Sequence, residues 1–254
     1  MNYPFLQYGD VLPTVAVLQK LLNRTGAGLR VDGHYGPKTW KAIASIQREK
    51  GYRVSGQVNH RTWQYLLSGE DLPILDVVDV FDTAGEESDI AKVGGTVIEV
   101  PGSSNAISDT VDSILSMGFN VFLLRIHGHG APGIAGLGVG TGTLDPGLES
   151  GSDISYGNYS KVQELMWRLQ PLFGPYGCIQ LMHCRTGRGK NGRNLLESMS
   201  DDIGVPVTAA INDQYGGGLD TFRFEGPTRT CVPFRANLAS WAKGLPDFVS
   251  RTLP

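Results

Sequence analysis

The stretch VDGHYGPKTWKAIASIQREKGYRVSGQVNHRTWQYL, residues 31–66, carries one pattern twice. Val31, Gly33, Thr39 and Trp40 recur 23 positions later as Val54, Gly56, Thr62 and Trp63. Lys38 and Arg61 keep a positive charge at that spacing, and Ile43 and Leu66 keep an apolar side chain. Self-similarity at a fixed period marks a repeated structural unit. Each copy reads as a turn followed by a helix. Glycine supplies the turn, Pro37 suits a first helical position, and Trp40 and Ile43, three apart, share a helix face. Upstream, Val11, Val15, Leu18, Leu21 and Leu22 form the stripe of an amphipathic helix with Asp10 as its expected N-cap. Residues 1–68 therefore read as a small three-helix all-α domain, with Trp40 and Trp63 expected in its core. Residues 69–73, GEDLP, have the composition of a linker.

Residues 74–254 change character. LDVVDVF (75–81), TVIEV (96–100), VFLLRI (121–126), IQLM (179–182) and VPVTAAI (205–211) are apolar, β-branched runs. Between them lie helical stripes: Ile107, Val111, Ile114 and Leu115; Val162, Leu165, Met166, Leu169 and Phe173; and Leu195, Leu196, Met199 and Ile203, closed by Gly204. Near-continuous apolar strands alternating with amphipathic helices predict an α/β domain with a mostly parallel sheet covered by helices on both faces. In such sheets functional residues collect at the carboxyl ends of the strands.

The bulk numbers narrow the function classes. A net charge of −3 over 254 residues, with no long basic run, argues against a nucleic-acid partner. No apolar stretch is long enough to span a bilayer. The start, Met1-Asn2-Tyr3-Pro4-Phe5, lacks a basic segment followed by an apolar one, so no classical signal peptide is expected. Three cysteines, Cys178, Cys184 and Cys231, do not make a disulfide framework.

Two strand ends carry reactive side chains. VFLLRI runs into His127-Gly128-His129-Gly130-Ala131-Pro132-Gly133, and IQLM runs into His183-Cys184-Arg185-Thr186-Gly187. An imidazole beside a thiol favours the nucleophilic thiolate. A glycine following His129 lets a backbone amide approach a developing oxyanion. The same residues admit other readings. His127, His129, His183 and Cys184 have the atom types of a zinc site, but their spacing matches no usual zinc motif, and His127 reads better as a satisfied buried histidine. Gly128, Gly130 and Gly133 fit a dinucleotide fingerprint only formally, because a loop or hairpin follows where a helix should. RTGRGKNGR (185–193) is either a solvated loop or an anion-binding one. Asn212-Asp213 ahead of three glycines suits a turn.

Two resemblances sharpen this picture. The run from Gly9 to Leu67, with VLQKLL, VDGHYGPKTWKAI, the glutamine of SIQREKG and VSGQVNHRTW, resembles the peptidoglycan-binding domain of bacterial cell-wall hydrolases. Most of 74–215 is similar to the caspase-like cysteine peptidases, through HGAPG at 129–133 and HCRTG at 183–187. The second resemblance implies His129 as catalytic histidine, Cys184 as nucleophile, and Gly130 with the Cys184 amide as oxyanion donors. It puts Asp213 where relatives carry specificity residues, and Arg185 is the candidate to meet a substrate carboxylate. His183 stands where the family has a small residue. Together the resemblances imply a wall-targeted cysteine peptidase that needs no cofactor or metal. Its partners would be peptidoglycan and a peptide or protein substrate, and it would be made in a bacterial cytoplasm and act outside it by a non-classical route. The alternative is an inactive caspase-like scaffold that binds peptidoglycan.

Overall fold

The structure is a computed structural model that describes residues 3–68, 76–82, 96–100, 106–118, 120–137, 153–216 and 222–249. The chain forms two compact units, one of Leu75–Ala236 and the other of Tyr3–Ile74 together with Asn237–Pro254.

In the helical unit, α1 is Pro13–Arg24, α2 is Pro37–Glu49 and α3 is His60–Leu66. Both repeat turns are held the same way, by a buried glutamine on the helix before them. Gln19 Oε1 accepts from the Asp32 and Gly33 amides, and its Nε2 donates to the Asp32 carboxylate and the His34 carbonyl. Gln47 Oε1 accepts from the Ser55 and Gly56 amides, and its Nε2 donates to the Gln57 carbonyl. These bonds satisfy turn amides that burial would otherwise leave costly. Pro37 opens α2, as its fixed φ favours. Two expectations are corrected. Asp10 does not cap α1: Leu12 is the N-cap, Pro13 follows it, and the Asp10 carboxylate accepts instead from the Gln7 amide. Trp63 is fully buried, whereas Trp40 is 40% exposed, its indole lying where a side chain at Gly56 would be.

The second unit runs β1 (Asp76–Asp82), β2 (Thr96–Val100), α4 (Ala106–Leu115), β3 (Val121–His127), β4 (Gly130–Ala131), β5 (Ile134–Gly136), β6 (Asp153–Ser155), α5 (Tyr159–Trp167), β7 (Phe173–Met182), α6 (Gly189–Ile203), β8 (Val207–Ala210) and β9 (Thr228–Cys231). Six strands make one sheet in the order β2-β1-β3-β7-β8-β9. All neighbours are parallel except β9, which runs antiparallel to β8. β4, β5 and β6 form a separate small antiparallel sheet. The expected run at 179–182 is the end of a ten-residue strand, and Gly204 closes α6 in the left-handed conformation.

Alternation along the strands sorts two faces. Val78, Val80, Leu124, Ile126, Ile179, Leu181, Val207 and Ala209 share one core with the apolar residues of α4, α5 and α6. The described helices of this unit pack on this face. The other face is equally buried, with Leu123, Arg125 and Cys178 fully so. That second face carries a polar row across the sheet in register, Asp79 beside Arg125, then Gln180, Thr208 and Thr230.

Sequence boundaries assign the whole of 74–254 to the α/β domain, and the compact units divide it differently. Helix α7 (Leu238–Gly244) and the residues after it group with the helical unit. Lys20 on α1 pairs with Asp247 at 2.6 Å, and Arg24 Nε donates to the Val249 carbonyl.

Candidate functional site

β3 and β7 are adjacent and parallel, with His127 opposite Met182 at their carboxyl ends. His129 lies two residues beyond the first and Cys184 two beyond the second, so equal register brings the two loops out side by side. Glycine makes the contact possible. A Cβ on Gly130 would stand 2.5 Å from the His183 Cβ, 2.6 Å from the Cys184 carbonyl oxygen and 2.6 Å from Thr186 Oγ1. The loops are also hydrogen-bonded. The Gly133 amide donates to the Thr186 carbonyl at 3.0 Å, and Thr186 Oγ1 donates to the Ile134 carbonyl at 2.6 Å. A Cβ at Gly133 would collide with Asn191 on α6.

His129 is exposed, and among the described residues its imidazole makes no hydrogen bond. Cys184 is half-buried, and its sulfur is engaged by another segment, with the amide and carbonyl of Gln214 both at 3.2 Å. The thiol and the imidazole therefore sit on touching loops without bonding each other. Arg185, directly after the cysteine, has φ +57, a left-handed turn conformation uncommon for a residue with a side chain. That turn is pinned by the Arg185 amide to the Asn212 carbonyl and the Gly187 amide to the Ala210 carbonyl. The guanidinium of Arg185 meets the Asp213 carboxylate at 2.7 Å, both half-exposed. The two residues assigned to substrate in the sequence are thus at the loop mouth but bonded to each other. Glu225 holds the segment in place, accepting from the Tyr215 and Gly216 amides.

The two other histidines at these strand ends have structural partners. His183 is fully buried, and its Nε2 donates to the Gly136 carbonyl at 3.0 Å, tying the cysteine loop to β5. Burial pushes its imidazole down to about 3, the neighbouring His127 and His129 acting the same way, so His183 is neutral. His127 bonds Asp79 through Nε2 at 2.9 Å and stacks on Phe81 at 4.1 Å between ring centres. The described residues contain no cluster of three or more metal-ligating side chains.

Sequence reasoning missed the buried ion cluster beneath the loops. Arg125 grips Asp79 through two bonds, Nε at 2.7 Å and Nη2 at 2.9 Å, and its guanidinium stacks on Phe222 at 4.9 Å. The Arg125 charge and the His127 bond hold the Asp79 carboxyl down at about 2, against a desolvation that alone would raise it. A signal existed: Asp79 in LDVVDVF and Arg125 in VFLLRI are charges inside apolar strands, and buried charges need partners. Gln214 gave no such signal.

Residues 12–66 match the family model described as a peptidoglycan binding domain. A search of curated proteins finds no match for the chain. The domain match supports association with the cell wall and peptidoglycan as a partner. No helix among the described residues is long and apolar enough to cross a membrane.

Proposed function

We propose that the chain is a wall-targeted cysteine peptidase of the caspase-like kind, with Cys184 as nucleophile and His129 as its base. The observation that carries this reading is the contact of two loops at the carboxyl ends of adjacent parallel strands, with Gly130 packed against the backbone of Cys184. The exposed imidazole of His129 takes the thiol proton, and the sulfur attacks a peptide carbonyl. The amides of Gly130 and Cys184 receive the oxyanion. His129 then protonates the leaving amine, and water releases the acyl group by the same base. The peptidoglycan binding domain raises the local concentration of the enzyme on its substrate, a stem peptide or a wall-associated protein.

Labelling with a thiol-reactive peptide probe tests this. The wild type should label at Cys184 far faster than at Cys178 or Cys231, and Cys184→Ala and His129→Ala should both lose the fast phase. Equal, slow labelling of all three cysteines overturns it. New termini after incubation with purified peptidoglycan or denatured protein then identify the substrate. A second reading, a wall-binding scaffold without turnover, is favoured by the engagement of the Cys184 sulfur by Gln214. It predicts the slow-labelling outcome together with intact wall binding.

A further inference from the structure

The helical unit contains a groove of about 540 Å³ between the Thr25–Leu29 loop and the flank of α2, ending at Tyr65 of α3. Its lining is split by chemistry. Ala42 and Ile46 are apolar, and Lys38 and Lys41, three apart on α2, share one rim. Among the described residues neither lysine has a hydrogen bond or ion pair, although Glu49 lines the same groove. Glu49 is neutralised by its neighbour Lys50 at 2.8 Å, which leaves the groove with an uncompensated positive end.

That charge does nothing for the helix. Lys38 lies in the first turn of α2, which contains no acidic residue, and Lys41 follows in the next. The helix dipole is positive there, so cations at this end are mildly unfavourable. Two lysines held at this end without a local partner leave a positive rim that suits an anionic ligand. The aromatic ring at the groove, Tyr65, has the Lys50 ammonium over its face at 4.7 Å, so that face is not open for stacking on a sugar.

We infer that this groove is a docking site for a carboxylate-bearing peptide, the stem of peptidoglycan rather than its glycan strand. Lys38 and Lys41 hold the carboxylates, and Ala42 and Ile46 receive the apolar part of the stem. The inference rests on peptidoglycan being the partner of this domain. The groove is large enough for a few residues of peptide.

The test uses the full-length protein and purified sacculi in a sedimentation assay, with three soluble competitors: free stem peptide, stem peptide with its carboxylates amidated, and glycan stripped of peptide with its lactyl carboxylates amidated. Free stem should displace the protein, and the other two should not. The double variant Lys38→Gln, Lys41→Gln should bind sacculi about tenfold more weakly, as expected when two exposed ion pairs with the ligand are removed together. Salt raised from about 50 to 300 mM should weaken the wild type and leave the variant nearly unchanged. Because the substitutions relieve charge at the positive helix end, the variant should unfold no earlier than the wild type, which separates lost binding from lost fold. Competition by stripped glycan, or equal binding by variant and wild type, overturns the stem-peptide site while leaving wall binding intact. A wild type that does not sediment with sacculi at all removes the peptidoglycan partnership itself and this site with it.

Discussion

Gly130 shows most directly how single residues set this site. Its missing side chain is what lets the histidine loop rest on the cysteine loop, since a Cβ would lie 2.5 Å from the His183 Cβ and 2.6 Å from the Cys184 carbonyl oxygen. Gly130→Ala should cost about 1–3 kcal/mol, as overpacking does, and should slow labelling of Cys184 by the peptide probe. Thermal unfolding and labelling rates check the two effects. His183 supplies a pH prediction. Its pKa in the folded chain, about 3, lies below the ordinary histidine value, so the unfolded chain binds more protons between those values. Stability is full above about pH 6.5 and falls as the pH drops through that window. The Asp79 carboxyl, held at about 2, adds a further loss below the ordinary carboxylate range. The profile of midpoint temperature against pH should therefore fall in two stages. His183→Gln, which keeps a donor for the Gly136 carbonyl, should shrink the upper stage, to which the buried His127, also pushed down by desolvation, contributes, and leave the lower one. His129 and Cys184 stand out in the sequence because each closely follows an apolar run. The bond between Arg185 and Asp213 does not, because it depends on how the chain returns past Ile211 beside the cysteine loop.

At the scale of elements, the repeats were legible in sequence and their fastening only partly so. The recurrence of Gly, Thr and Trp from 31–43 to 54–66 announces two turn–helix units. The two glutamines that fasten them, Gln19 and Gln47, sit 28 positions apart, outside that period, so the repeat itself does not pair them. Each is buried and accepts from two turn amides. Replacing either by leucine strands those amides, at about 1–3 kcal/mol for each unsatisfied group. Urea unfolding of Gln47→Leu should show a loss of that order in the helical unit, and Gln19→Leu a similar one. Five of the six strands of the large sheet were legible as β-branched apolar runs, whereas β9, with one apolar residue in Thr228–Cys231, was not. Strand partnering was not legible: what places Asp79 beside Arg125 is sheet order, which adjacent residues do not encode.

The whole molecule departs most from its sequence boundaries at its last described helix. Residues 237–249 follow the α/β unit in the chain and group with the helical unit in space, a long-range return that no local pattern announces. Its fastening is specific. Leu238 fills the space beside Gly33, where a Cβ would stand 2.7 Å from the leucine Cδ2, and Gly33 belongs to the first repeat turn. Lys20, whose side chain is 8% exposed, finds its carboxylate in Asp247, and Arg24 finds the Val249 carbonyl. A buried ammonium without a partner is costly, so Asp247 matters more than its own exposure suggests. Asp247→Lys should destabilise the helical unit by about 1–2 kcal/mol, whereas the same reversal at Asp112, an exposed residue paired with the exposed Arg168, should stay within about 0.5 kcal/mol. If the C-terminal segment completes this unit, residues 1–68 expressed alone should unfold well below the midpoint of the intact chain. Adding residues 237–249 back through a flexible linker should then restore part of the difference. Equal midpoints for the short fragment and the full chain would show that the segment merely rests there.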